Sequence, residues 1–205
     1  MKMKKRYVIK SISLLLLAIV FVSSLASCSK APELALIKPE IERLINASHE
    51  VNDIFFGKGL EVDERLETPY ENYMCVSLMT EIQSIAQIKE LAESVYTKAY
   101  LEPLYEVTFT GKYDAVAGGI VRARYMESEG YLLKHCPDTD DGSDPNNILG
   151  DAIRTYDFSS IKIIKPSRED FVTFTISTTK NNVTEEITLA VEKTELGWRL
   201  DYPTY

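Results

Sequence analysis

The sequence is poor in the residues that most often carry chemistry. Its 205 residues include only two histidines, three cysteines and one tryptophan, which leaves little material for a zinc site. Acidic residues outnumber basic ones by 31 to 23, and the resulting net charge of −8 argues against nucleic acid as a partner, because phosphate recognition needs a basic surface. The apolar fraction of 45% is that of a globular protein, so wholesale disorder is excluded.

Long hydrophobic runs are also missing. The apolar run of residues 12–22 is shorter than the roughly 18–20 residues that a membrane-spanning helix needs. It follows five basic residues within the first ten and precedes residues 25–28 (LASC), an order typical of a cleaved signal peptide. Residues 25–28 resemble the bacterial lipobox. The resemblance implies that diacylglycerol is attached to the Cys28 thiol and that the chain is cut just before this residue.

This N-terminal pattern divides the chain. We expect residues 1–27 to be a lipoprotein signal peptide, residues 28–38 a short tether, and residues 39–205 a single domain held outside the cytoplasm at the outer face of the cell membrane. Removal of the five basic leader residues lowers the formal net charge from −8 to −13. Such an acidic domain attracts a basic protein or a cation. The alternative is that the charge serves solubility alone.

The first part of the expected domain has helical patterns. Pro39 at a first helical position and apolar residues three or four apart predict a helix that ends near residue 56, before Gly57 and Gly59. A short strand is expected over residues 73–78. Ser84 predicts the N-cap of a second helix. Residues 100–119 show no clear pattern.

The second part is typical of β structure. Residues 121–127 and 131–136 flank Glu129-Gly130 and predict a hairpin. Alternating polar and apolar residues predict four more strands, which short connections join into an antiparallel meander. We therefore expect an α+β fold with N-terminal helices packed on a curved, mainly antiparallel sheet. The four expected strands are residues 158–165, 171–179, 185–193 and 198–201.

Candidate metal and catalytic motifs do not keep the geometry that their chemistry requires. The acidic segment 138–144 fails as an EF-hand around Gly142, because Pro137 would be its first ligand and Ile148 would replace the bidentate glutamate. An irregular calcium site and a solvated loop are the alternatives there. The two S-x-x-K sequences, which begin at residues 159 and 177, lie in expected strands, where serine and lysine would face opposite ways. We expect no enzymatic activity, no cofactor and no metal.

The two histidines and two further cysteines were considered as pairs. His135 and Cys136 are strand neighbours that point to opposite faces, and His49 with Cys75 lacks a third, orienting residue. Outside the cytoplasm, Cys75 and Cys136 could form a disulfide worth about 4 kcal/mol in the chain-entropy model. Two buried reduced thiols are the alternative.

Two resemblances bear on function. The order of elements is similar to the nuclear transport factor 2-like and cystatin-like group, in which a curved sheet wraps a helix. Residues 52–57 (NDIFFG), 95–100 (VYTKAY), 160–166 (SIKIIKP) and 198–205 resemble the bacterial secreted DL-endopeptidase inhibitor (IseA) family. That resemblance implies a domain that docks on a cell-wall peptidoglycan hydrolase and blocks its active site. The lipid anchor departs from the family pattern.

Three hypotheses of function follow. The first is a non-catalytic, membrane-anchored binding protein that contacts a basic cell-wall hydrolase through the acidic segments 61–71 and 138–144. The second is a small-molecule-binding domain with an enclosed apolar cavity of roughly 300 Å³ or more between helices and sheet. The third is an enzyme on the same scaffold, which requires a carboxylate facing a histidine or tyrosine inside that cavity.

Overall fold

The computed structural model describes residues 30–114, 119–137, 147–150 and 154–205. The signal peptide, Cys28 and the acidic segment 138–144 lie outside these residues. The helices are α1 (Leu34–Phe56), α2 (Ile85–Val95) and α3 (Lys98–Tyr105), and a π-helical turn (Glu106–Thr110) continues α3. The strands are β1 (Tyr73–Cys75), β2 (Lys112–Asp114), β3 (Gly119–Val121), β4 (Tyr125–Ser128), β5 (Tyr131–His135), β6 (Thr155–Ile164), β7 (Phe171–Lys180), β8 (Val183–Thr194) and β9 (Gly197–Leu200).

Helix α1 is longer than its sequence pattern predicted. It begins at Leu34, so residues 34–38, expected in the tether, are helical. Pro39 lies inside the helix, where it removes only the one backbone hydrogen bond that its missing N–H would donate. The first turn is instead closed by the carbonyl of Glu33, which accepts from the backbone N–H of Leu36 at 2.9 Å. The predicted end is confirmed, since Gly57 occupies the C-cap.

The middle of the chain adds elements that no sequence pattern indicated. The Ser84 cap is confirmed, because its Oγ accepts the backbone N–H of Gln87 at 3.2 Å. Helix α3 follows at once, capped by Thr97. The strand expected over residues 121–127 is interrupted, because the Arg124 side chain is buried against the end of α1.

The strands form antiparallel sheets. The order β1-β5-β4 contains the predicted hairpin, in which Glu129 and Gly130 both have positive φ, as a two-residue type I′ turn requires. The order β6-β7-β8-β9 confirms the predicted meander, and β2 pairs with β3. The α+β fold class is therefore confirmed.

One cluster of buried apolar side chains joins the helices to both larger sheets. Strand β7 contributes one buried face to this cluster: Val172, Phe174 and Ile176 alternate with half-buried polar residues and lie on one face. The matching stripe on α1 includes Ile41, Leu44 and Ile45, all fully buried. Among the described residues, no helix has the length and apolar character needed to cross a membrane.

Candidate functional site

The two cysteines are close in the fold but not opposite each other. Cys75 on β1 is paired with Leu133, whereas the backbone N–H of Cys136 bonds to the carbonyl of Asn72. Cys136 lies three positions after Leu133, the residue opposite Cys75. Along a strand, three positions correspond to about 10 Å, which is more than a disulfide spans. The sulfurs are not joined to each other; Cys75 is buried and Cys136 is half-buried. Burial raises the pKa of the Cys75 thiol, which makes it a poor nucleophile.

Each histidine lies beside a tyrosine ring. His49 lies on α1 with its ring 6.1 Å from that of Tyr156, while Cys75 belongs to a separate small cluster with Tyr73 and Leu133. His135 lies 5.1 Å from the ring of Tyr73. In the part of the chain that the structure describes, no three histidine, cysteine or carboxylate side chains form a group that could hold a metal.

The feature that best fits a binding role is a groove beside the end of α1, which we call the acidic groove. Its volume is about 500 Å³. Apolar side chains and four carboxylates line it, and no described lining residue is basic. The lining residues are Glu50, Asp53, Ile54, Gly59, Leu60, Glu61, Thr80, Glu81, Ile82 and Leu91.

The β4–β5 hairpin holds the wall of the groove that contains Leu60. The Tyr125 hydroxyl accepts the backbone N–H of Leu60 at 3.0 Å and donates to the carbonyl of Ile54 at 3.1 Å. The Lys134 ammonium donates to the carbonyl of Leu60 at 2.7 Å. Both side chains are buried, so these bonds act in a low-dielectric environment. The sheet therefore holds this wall, together with backbone hydrogen bonds of the loop, such as that from Gly59 to the carbonyl of Asp53 at 3.0 Å.

A buried arginine fixes the end of α1 in the same way. The guanidinium of Arg124 donates from Nε to the carbonyl of Ile54 at 2.8 Å and from Nη2 to the carbonyl of Gly57. A cation at this position also compensates the negative end of the helix dipole. Gly59 has a φ of +73°, and a Cβ there would lie 2.5 Å from the Tyr125 hydroxyl. The tight approach of loop and hairpin thus requires glycine.

Another part of the lining comes from a turn in which a side-chain amide supplements the turn's own hydrogen bonds, such as that from the backbone N–H of Thr80 to the carbonyl of Ser77. The Nε2 of Gln83 donates to the carbonyls of Ser77 and Thr80 and to the Thr80 hydroxyl, each at 2.9 Å. This turn places Glu81 and Ile82 on the groove. Two residues within the turn are strongly exposed, Leu78 at 61% and Met79 at 91%. Exposed apolar side chains beside a groove are typical of an interaction surface.

The predicted acidic contact segment 61–71 begins on this groove. Glu61 lines it, and the backbone of the segment is tied to β1, with the N–H of Asp63 donating to the carbonyl of Cys75 at 2.9 Å. Hydrogen bonds from Arg65 lower the pKa of the half-buried Asp63 carboxyl to about 2, so that this carboxylate stays ionised. The segment is therefore partly anchored rather than a free loop.

A second polar arrangement lies under the C-terminal tail. The Thr204 hydroxyl lies 2.7 Å from the Ser48 hydroxyl, accepts Nδ2 of Asn52 at 2.8 Å, and lies 2.9 Å from the Tyr96 hydroxyl. All four residues are buried. This network attaches the tail to α1, because buried polar groups lose free energy when they lack partners.

The sequence analysis missed the buried residues that hold the acidic groove in place, such as Lys134. The one available signal was that Lys134, a charged residue, lies on the same face of β5 as the buried Leu132.

No known family model matches the chain, and no curated protein matches it. The resemblance to DL-endopeptidase inhibitors therefore stays a prediction.

Proposed function

We propose that this chain is a lipid-anchored, extracytoplasmic, non-catalytic binding protein whose acidic groove accepts a basic segment of a peptidoglycan hydrolase of the DL-endopeptidase class. The observation that carries the proposal is the composition of the groove: apolar side chains and four carboxylates, with no basic residue among its described lining. A lysine or arginine side chain fits such a site, because its apolar stem can pack on the apolar side chains while its charge pairs with a carboxylate.

Electrostatics favours a basic partner at longer range as well. The expected mature chain carries a net charge of −13, which speeds encounter with a positively charged protein and repels anionic lipid headgroups. Leu78 and Met79, exposed beside the groove, supply apolar area that charge alone does not. The proposal predicts inhibition that weakens as salt concentration rises.

Reversal of two charges on the groove tests the proposal. In the double variant Glu50→Lys/Glu81→Lys, we expect inhibition of a purified basic DL-endopeptidase to weaken at least tenfold, about 1.4 kcal/mol, because attraction becomes repulsion at both sites. Both side chains are exposed, so the fold is expected to tolerate the change. The measurement is the rate of peptidoglycan hydrolysis against concentration of the full chain in detergent.

The matched control is Glu90→Lys/Glu102→Lys, which changes the net charge equally at exposed helix positions that do not line the groove. The control should inhibit as the parent does, and both variants should keep the parent's unfolding midpoint. Equal loss in both variants would mean that net charge rather than the groove determines binding. A parent chain without inhibitory effect would refute the hydrolase as partner.

The anchor has its own test. Substitution Cys28→Ser removes the thiol that would accept the lipid, so we expect the chain to leave the membrane fraction or to accumulate with its leader uncut. Fractionation and the mass of the product measure this result. An unchanged membrane-bound fraction of unchanged mass would disprove lipidation at Cys28.

A further inference from the structure

A second cleft, of about 410 Å³, lies between the last turns of α1, the ends of β6 and β7, and the C-terminal tail. Its chemistry differs from that of the acidic groove. Arg154 and Lys180 stand on its sheet side, and Leu149 and Tyr205 contribute apolar surface. The buried network described above forms part of its lining through Asn52 and Thr204.

The walls of this cleft are anchored on both sides. The backbone N–H of Leu149 donates to the carbonyl of Phe56 at 3.1 Å, and the Phe56 ring packs against that of Tyr205 with centroids 4.5 Å apart. The Tyr156 hydroxyl donates to the carbonyl of Thr204. Burial raises the pKa of Tyr156 to about 12, so this donor stays protonated. The cleft is consequently preorganised, which lowers the entropy cost of binding.

Arg154 has donor capacity that the protein does not use. Its Nη1 donates to the Glu185 carboxylate at 2.7 Å, and the side chain is 15% exposed. Its Nε is buried and has no hydrogen-bond partner among the described residues. A buried N–H without an acceptor is costly, and because Nε is closed to solvent, a carboxylate in the cleft would meet the part of the Arg154 side chain that stays exposed.

Lys180 adds a second cation. It ends β7 and is half-buried, and within the described ranges no carboxylate lies at ion-pair distance from its ammonium. Two cationic side chains on one wall of a partly apolar cleft favour an anionic group on an apolar molecule. Asp53, which also lines the cleft, disfavours a ligand with several negative charges.

We propose that this cleft binds a small organic monocarboxylate, with its carboxylate on Arg154 and Lys180 and its apolar body against Leu149 and Tyr205. This site is separate in chemistry from the acidic groove and does not depend on the proposed function. The cleft lies between helices and sheet, where the hypothesis of a small-molecule-binding domain expected an apolar cavity. Its polar wall distinguishes it from a purely apolar cavity.

Calorimetric titration of the full chain in detergent tests the site. The probes are hexanoate, benzoate and N-acetyl-L-phenylalanine, each compared with its neutral amide, and inorganic phosphate. We expect at least one carboxylate to bind with a Kd of about 1 mM or below, as suits a ligand of this size. We expect Arg154→Met to weaken that binding at least tenfold and Lys180→Met about fivefold, because each removes one cation.

Arg168→Met is the control, since Arg168 is exposed between β6 and β7, pairs with Asp170 and does not line the cleft. Lys180→Met keeps the test valid if Arg154→Met fails to fold. Binding of no carboxylate at up to about 10 mM, equal binding of acids and amides, or tighter binding of phosphate would overturn the proposal. Inhibition of the endopeptidase should be the same in Lys180→Met as in the parent, which separates failure of this site from failure of the groove.

Discussion

Replacement of Arg124 by methionine is expected to lower the free energy of unfolding by about 3 kcal/mol. Arg124 is only 5% exposed, and its guanidinium supplies donors to the carbonyls of Ile54 and Gly57 at the end of α1. Methionine replaces the apolar stem but removes the guanidinium donor from both carbonyls, so that the Ile54 carbonyl keeps only the bond from the Tyr125 hydroxyl among those described above. The same change loosens the loop that carries Leu60, so the acidic groove should lose affinity together with stability.

Urea denaturation of the full chain measures this effect. Arg122→Met is the matched control, because Arg122 lies two positions earlier and is exposed, and its contacts with Glu71, a 4.0 Å ion pair and a 3.2 Å hydrogen bond to the carbonyl, lie at the surface. The control should stay within about 0.5 kcal/mol of the parent. A loss below about 1 kcal/mol in Arg124→Met would show that water replaces the guanidinium at these carbonyls.

Replacement of Thr204 by valine is expected to cost about 2–3 kcal/mol. Valine keeps the shape of threonine, and the side chain is only 3% exposed, so the hydroxyl is the one group lost. Tyr96 keeps its bond to Oδ1 of Asn52, and Ser48 keeps its bond to the carbonyl of Ile45. The Nδ2 of Asn52 loses its acceptor inside the protein, and that unsatisfied donor accounts for most of the cost.

To separate the contribution of the Thr204 hydroxyl from that of its methyl group, three substitutions are compared by the same denaturation method. Thr204→Ser keeps the hydroxyl and should cost less than Thr204→Val. Thr184→Val removes an exposed hydroxyl that bonds only to Thr179, and it should be nearly neutral. If Thr204→Ser and Thr204→Val were equally destabilising, the methyl group rather than the hydroxyl would be the important contact.

The elements that the sequence predicted well are those whose causes are local. Ser84 caps α2 through a bond to a residue three positions away, and Glu129-Gly130 forms a turn from its own backbone preferences. The meander follows from period-two alternation within each strand, as the buried face of β7 illustrates. The predicted start of α1 at Pro39 was wrong, because Pro39 is tolerated inside a helix whose apolar face is already buried.

The candidate binding surfaces depend on contacts between residues far apart in the sequence, and the spacing of residues in the sequence does not reveal such contacts. Arg124 and Ile54 are 70 residues apart, and Ser48 and Thr204 are 156 apart, yet each pair is joined by one hydrogen bond. Charged residues such as Lys134 are ordinarily exposed, so a sequence pattern assigns them to the surface until the tertiary structure provides buried acceptors.

By itself, the sequence determined the α+β class, the end of α1, the start of α2, and the strands of the hairpin and the meander. It also determined the acidic character of the chain. Only the tertiary structure decided that Cys75 and Cys136 stay apart, that four carboxylates surround one apolar groove, and that Arg154 and Lys180 share a cleft. The physical reason is range: caps, turns and strand alternation act between near neighbours, whereas grooves and buried cations depend on which distant segments pack together.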